Sequence, residues 1–249
     1  MNKLSSEKIL VGGLQPLTMI DFPGRLASVI FTQGCNLRCR FCYNRTLLGD
    51  KAAAPLTWES VIAFLRDRQG FIEGVVFSGG EPCLQPGILD ALREIRELGF
   101  DAALHTNGFF PDIVEQALRE RLLQFIAVDF KAPFAKYQQI TRQPVDQPAY
   151  ERLAEMLVSS GIKHEYRTTV HPGLLSDSDV MQMADWLGEK KISNYAIQKF
   201  KYGEALDSSL PPVNTGCLQP ATIFKLRSRF TGFTLRSDDT VVDNLKKAA

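Results

Sequence analysis

The chain has 249 residues, 45% of them hydrophobic, with 29 Lys and Arg against 28 Asp and Glu. That length suits one large α/β domain or two small ones, with enough chain to bury a core of good size. The near-neutral balance gives no sign of a nucleic-acid binder, and the apolar runs, such as residues 125–128, fall far short of the ~20 residues that span a bilayer.

Residues 1–8 are polar and lack the apolar stretch of a signal peptide, so a cytoplasmic protein with no membrane partner is expected. Gly12-Gly13 and Pro23-Gly24 read as turns of a small N-terminal hairpin at about residues 9–25. Apolar, β-branched runs follow at 27–32, 75–78, 102–106, 125–130, 165–170 and 195–199. A helical pattern comes after each. Trp58, Val61, Ile62 and Leu65 fall at i, i+3, i+4, i+7 behind Thr57 as N-cap. Ile88, Ala91, Leu92 and Ile95 repeat that spacing, with Gly99 just past the end. Residues 113–122 make a third helix. Tyr150, Leu153, Ala154 and Leu157 mark a fourth, stopped by Gly161. Val180, Met183, Ala184 and Leu187 mark a fifth, opened by the capping-box-like Ser176-x-x-Asp179. Residues 207–220, with Pro211, Pro212, Gly216 and Pro220, read as a loop before the last helix at 220–229. Six strand–helix units in series imply a parallel sheet with right-handed crossovers, read as one domain over 1–249. The pattern alone does not choose between a partial barrel and an open, doubly wound sheet.

Three of the five cysteines stand within eight residues, as Cys35-Asn-Leu-Arg-Cys39-Arg-Phe-Cys42, directly after the first parallel strand. In a reducing compartment such a group points to metal binding. Thiolates are the usual ligands of iron–sulfur clusters. A cubane has four irons, so three cysteines would leave one iron open to a ligand. A structural zinc site normally takes four closed ligands, and no fourth lies near: the next cysteine is Cys83 and the first histidine is His105. A second motif, Ser78-Gly79-Gly80-Glu81-Pro82, follows the next strand. Two glycines there allow backbone to approach a ligand closely, and Glu81 with nearby carbonyls could accept from an ammonium group. Alone, such a turn is structural as often as functional.

Together these motifs make the chain resemble the radical S-adenosylmethionine superfamily. The resemblance implies a partial (β/α)6 barrel, a [4Fe–4S] cluster on Cys35, Cys39 and Cys42, and S-adenosylmethionine bound by its amino and carboxylate groups at the open iron. An electron from the cluster would then break the sulfonium bond and yield a 5′-deoxyadenosyl radical. The 78–82 turn would hold the amino group. Tyr43-Asn44 after the last cysteine, Thr106-Asn107-Gly108 at the end of the third strand, Asp129-Phe130-Lys131 at the end of the fourth, and Arg167 on the fifth are similar to motifs of glycyl-radical activating enzymes. The opening at residues 12–24, which includes Asp21-Phe22-Pro23-Gly24, resembles the activating proteins of anaerobic ribonucleoside-triphosphate reductase. The family implies reduced flavodoxin or ferredoxin as electron donor. No catalytic residue beyond the cluster ligands is expected.

For Asp129 and Lys131, two residues apart on one strand face, a ribose or carboxylate contact is favoured over a plain ion pair. Arg167 offers a planar fork for a carboxylate. His105 and His171 read equally as substrate contacts or structural histidines, and the isolated Cys83 and Cys217 as small buried groups. Two other functions compete: a radical enzyme on a small molecule, of the 7-carboxy-7-deazaguanine synthase type, and a non-catalytic iron–sulfur carrier, which needs no ligand pocket beside its cluster.

Overall fold

The computed structural model describes residues 9–49, 56–201, 205–213, 216–237 and 240–243; the polar first eight residues lie outside them. The chain gathers into two compact units, one made of residues 1–36, 46–127 and 160–163, the other of 37–45, 128–159 and 164–249.

The first unit holds β1 (Val11–Thr18), β2 (Ala27–Thr32), β3 (Gly74–Gly79), β4 (Asp101–Thr106) and the start of β5 (Phe125–Asp129). Its helices are α1 (Trp58–Arg66), α2 (Ile88–Glu97) and α3 (Pro111–Arg119). β2, β3 and β4 run parallel, in the register Ala27↔Gly74↔Asp101. Val75, Val76 and Phe77 are buried on both faces of the sheet, as crossover helices require of a parallel strand. α1 buries Trp58, Val61, Ile62 and Leu65, and α2 buries Ile88, Ala91, Leu92 and Ile95, the faces read from the sequence. Thr57 caps α1 by accepting from the Ser60 amide at 3.2 Å. α3 starts and stops earlier than the 113–122 expectation. Pro111 is already shaped for the first helical position, and Arg121 adopts a left-handed φ of 55°. The expected hairpin also differs: β1 pairs antiparallel with β2 itself rather than closing within residues 9–25.

The turn joining β1 to β2 carries Phe22 into the sheet. Its ring packs among Ala27, Val29, Val76, Ala103, Phe125 and Ala127, with the Phe125 ring 6.1 Å away. Gly74 makes room for it, since a Cβ there would lie 2.8 Å from the Phe22 ring. The Asp21-Phe22-Pro23-Gly24 signature is thus an anchor that plugs one inner face.

The second unit contains β6 (Lys163–Val170), β7 (Asn194–Lys199), β8 (Gly232–Ser237) and β9 (Thr240–Asp243), with α4 (Tyr137–Thr141), α5 (Gln147–Ser160), α6 (Asp177–Glu189) and α7 (Pro220–Arg229). β6, β7 and β8 are parallel, in the register Thr169↔Gln198↔Arg236, and β9 returns antiparallel on β8. β8, β9 and α4 are absent from the sequence reading: β9 and α4 are too short to show a period, and β8 (GFTLRS) carries only two apolar residues among Gly, Thr, Arg and Ser. The helix-facing side of this sheet is aromatic. Phe130 stands 5.1–6.4 Å from the rings of Phe134, Tyr137, Tyr150, Tyr166 and Trp186, and such pairs add to the burial of their large apolar area. The other face of β6 carries Glu165, Arg167 and Thr169, as strand alternation dictates.

Ser176 and Asp179 form the expected capping box. The Ser176 hydroxyl accepts from the Asp179 amide at 3.2 Å, and Asp179 accepts from the Ser176 amide at 2.8 Å. Lys136 adds a third donor to Asp179 at 2.7 Å. Burial works against the Asp179 charge, but Lys136 and Ser176 outweigh it and hold the carboxyl below its ordinary range. We predict that Ser176→Ala costs about 1 kcal/mol and lowers the melting temperature by about 2–4 °C, read by calorimetry. A change under a degree would mean that the box does not anchor α6.

Candidate functional site

In the first unit, β3 ends in the Ser78-Gly79-Gly80-Glu81-Pro82 turn, which lies on the segment entering Cys35. The Gly80 amide donates to the Thr32 carbonyl and the Glu81 amide to the Gly34 carbonyl, both at 2.9 Å. Both glycines are required by that neighbouring backbone. Gly79 has φ +107°, and a Cβ on it would meet the Thr32 nitrogen at 2.5 Å; a Cβ on Gly80 would lie 2.0 Å from the Gly34 oxygen. The sequence reading gives these glycines to the approach of a ligand. Their missing side chains also admit the loop that carries Cys35.

Glu81 has partners within the protein. It is wholly buried and accepts from the Cys83 amide at 3.0 Å, the Thr106 hydroxyl at 2.8 Å and the Asn107 amide at 2.7 Å. Its carboxylate therefore ties the end of β3 to the end of β4, with Pro82 opening the short 3-10 turn between. Burial pushes its pKa up; the hydrogen bonds from Asn107, Cys83 and Thr106 pull the other way without cancelling it. From Asn107 the network continues, its amide nitrogen donating to Asn36 Oδ1 at 2.7 Å, beside Cys35. Two residues that the sequence reading missed hold the same loop. Gln85 donates to the Gln33 carbonyl at 2.6 Å, and Gln33 donates to the Thr46 and Gly49 carbonyls at 3.1 and 2.9 Å. Neither belongs to a recognised motif; only burial marks them.

In the second unit, the Cys39–Cys42 stretch is strung between two supports. Arg38 and Arg40 amides donate to the Thr141 and Ile140 carbonyls at the end of α4, at 2.9 and 3.0 Å. On the other side, the Leu206 and Asp207 amides donate to the Cys42 and Arg40 carbonyls, each at 2.9 Å, and Arg40 pairs with the Asp207 carboxylate at 2.7 Å. Tyr43 packs on Phe200 at 5.6 Å, and its hydroxyl accepts from the Lys201 amide.

The inner face of this unit holds the other expected residues. Asp129 accepts from Lys131 Nζ at 3.0 Å and from Arg167 Nε at 2.9 Å. The ion pair that the sequence reading ranks second is therefore formed, within a triad in which Lys131 and Arg167 both pair with Asp129. Burial acts to discharge Lys131; Asp129, and behind it Cys39, reverse this and raise its affinity for the proton. Burial likewise raises the Cys42 thiol, while Lys131 and Arg38 favour its thiolate.

The remaining candidates have partners within the protein. His105 Nε2 lies 2.8 Å from the Asp21 carbonyl, locking the turn that carries Phe22. His171 accepts from the Gly173 amide at Nδ1, leaving Nε2 to donate to the Pro211 carbonyl at 2.9 Å. Cys83 is buried beside Glu81, and burial with that charge pushes its thiol well up. All five cysteines are free thiols. Among the described residues no group of three or more Cys, His, Asp or Glu side chains stands gathered as a metal cage, and no helix is long and apolar enough to cross a membrane.

The sequence model of the Radical SAM superfamily matches residues 29–187. A protein of Methanocaldococcus jannaschii named as a glycyl-radical enzyme activating enzyme is 30% identical over 208 residues, 80% of this chain and 83% of its own. The 7-carboxy-7-deazaguanine synthase of Hyperthermus butylicus is 36% identical over 91 residues, 36% of this chain and 38% of its own. Among solved structures, Streptococcus suis SuiB bound to S-adenosylmethionine superposes with a TM-score of 0.63 at 17% identity, over 84% of this chain. This chain spans half the length of SuiB. The likeness is one of fold, and the fold is the α/β partial barrel expected from the sequence.

Two substitutions test the roles just assigned. Gly80→Ala forces a Cβ onto a backbone oxygen that has little room to move, an overpacking that costs about 1–3 kcal/mol. Glu81→Gln turns an amide N–H toward one of three donors and leaves a buried donor unmet, at about 1–3 kcal/mol. Both should lower the midpoint of urea unfolding at an unchanged slope. Wild-type stability in both would mean that the turn is not braced by these contacts.

Proposed function

The chain belongs to the Radical SAM superfamily, whose enzymes use a [4Fe–4S] cluster and S-adenosylmethionine, and from that membership we propose that it installs a glycyl radical on an anaerobic ribonucleoside-triphosphate reductase. The observation that carries this reading is the match to a glycyl-radical activating relative across 80% of the chain. The reductase in particular rests on the opening at residues 12–24. The setting is the reducing cytoplasm, with reduced flavodoxin or ferredoxin as donor.

Cys35, Cys39 and Cys42 are the ligands proposed for the cluster. The donor set fits: the thiols are free, and Lys131 and Arg38 favour the thiolate at Cys42 against its burial. When bound, the cluster and S-adenosylmethionine supply reductive cleavage of the sulfonium bond and, from it, abstraction of a hydrogen atom. The chain's own residues bind and orient. The 78–82 turn offers main-chain acceptors to the cofactor's amino group, and Glu81 sets that turn from behind. The cations Lys131 and Arg167, set by Asp129, suit the cofactor's carboxylate. Tyr43 and Asn107 complete the contacts proposed for the cofactor.

A second reading, a radical enzyme on a small molecule of the deazaguanine synthase type, draws on the match to 36% of the chain. The shorter match ranks it second.

Anaerobically reconstituted protein should bind about four irons per chain and cleave S-adenosylmethionine. With an anaerobic ribonucleoside-triphosphate reductase as partner, a glycyl radical should appear as an EPR doublet and as oxygen-dependent cleavage of the partner at one glycine. Cys39→Ala should abolish cofactor cleavage, whereas Cys217→Ala should not. Full cleavage in Cys39→Ala sinks the ligand assignment. A small metabolite that stimulates turnover, with no radical on the reductase, promotes the second reading.

A further inference from the structure

The inner face of the second unit does not end at Arg167. Glu165 and Thr169 share that face of β6 with Arg167, and their side chains lead to β7 and β8. Arg236, on β8, places one terminal nitrogen 2.8 and 3.0 Å from the two oxygens of the buried Glu165. Thr169 donates to Gln198 Oε1 at 3.5 Å. Gln198 and Arg236 are register partners on adjacent parallel strands, so their side chains leave the same side of the sheet. Both are half-buried. Among the described residues, the Gln198 amide nitrogen and the other two guanidinium nitrogens of Arg236 have no hydrogen-bond partner, although each is an obligatory donor. No recognised motif includes Glu165, Gln198 or Arg236.

Charge separates this pair from the neighbouring triad. There two cations, Lys131 and Arg167, meet one carboxylate, Asp129. Glu165 cancels Arg236, and Gln198 is neutral, so the wall along β7 and β8 offers several donors with no net charge. Such a surface prefers neutral acceptors over a carboxylate, whose desolvation it could not offset. The commonest array of neutral acceptors is a polypeptide backbone.

We infer that Gln198 and Arg236, with Glu165 holding the guanidinium in place, form a subsite for the main-chain carbonyls of a peptide segment entering the barrel. This rests on the reading that the substrate is a protein loop and adds which residues grip it. Gln198 and Arg236 are positioning residues: they fix the loop, and the chemistry takes place elsewhere.

The test uses the full-length, cluster-loaded enzyme and a synthetic peptide that spans the radical-bearing glycine loop of the reductase. Radical formed per minute is measured against peptide concentration. Arg236→Gln should raise KM for the peptide about tenfold and Gln198→Leu about threefold, in line with losing a charged and a neutral donor, with kcat changed less than twofold. Arg236→Lys, which keeps charge but loses the planar fork, should fall between wild type and Arg236→Gln. Arg229→Gln, which removes a surface pair with Asp185, serves as the unaffected control. Gln198→Leu leaves the Glu165–Arg236 pair intact, so a loss of folding in Arg236→Gln does not decide the matter. Unchanged KM in Gln198→Leu, or a fall in kcat at constant KM, overturns the subsite. If wild type forms no radical on the peptide but turns over a small carboxylate, the reading beneath it fails as well, and that outcome is distinct from a wild type that works beside variants that do not differ.

Discussion

A carboxylate that never meets solvent organises the first unit. Glu81 takes three donors from two places in the chain, its own 3-10 turn and the end of β4. Burial works against its charge, and the donors from Asn107, Cys83 and Thr106 favour it. Around it the backbone closes without side chains: Gly79 against Thr32, and Gly80 against Gly34. The entry to Cys35 is thus fixed by main chain on main chain, held by one buried anion. A site that must keep a thiol in place gains from such rigidity, since backbone contacts have no rotamers to exchange.

The second unit is organised by charge on one face of its sheet and aromatic packing on the other. Phe130 and Phe134, three tyrosines and Trp186 fill the space under the helices. The opposite face divides into a cationic part on β5 and β6 and a neutral, donor-rich part on β7 and β8. Alternation along β6 assigns the faces: Tyr166 and Thr168 turn to the helices, while Glu165, Arg167 and Thr169 turn inward. One strand therefore serves both the core and the site, and a single-residue slip would exchange them.

The legible part of this structure is the part with a period. Helices α1, α2, α5 and α6 show their buried faces in the spacing of Leu, Ile, Ala and aromatic residues, and the caps at Thr57 and Ser176 stand one residue before them. The cysteine spacing and the Gly-Gly-Glu-Pro turn are equally visible as patterns. What the sequence hides is what each motif residue touches. The Gly-Gly turn is spelled without its neighbour: a Cβ on Gly80 would lie 2.0 Å from the Gly34 oxygen, a contact the motif does not show. The same holds for Asp129 and Lys131, whose ion pair becomes a triad through Arg167, 38 residues on. Gln33, Gln85, Gln198 and Arg236 lie outside any motif, and their roles come from strand register and burial, which are long-range facts. β9 escapes because four residues carry too few alternations to stand out, and β8 because Phe233 and Leu235 are its only apolar residues.

The central claim is that three cysteines of this chain hold a cluster with one iron open to S-adenosylmethionine. Mössbauer spectroscopy of the protein reconstituted with iron-57 tests it most directly, recorded before and after addition of the cofactor. The account predicts a [4Fe–4S] signal in which about one quarter of the iron, the site without a thiolate, shifts on addition while the rest stays put. A spectrum unchanged by the cofactor, or iron bound in some form other than a four-iron cluster, would contradict it.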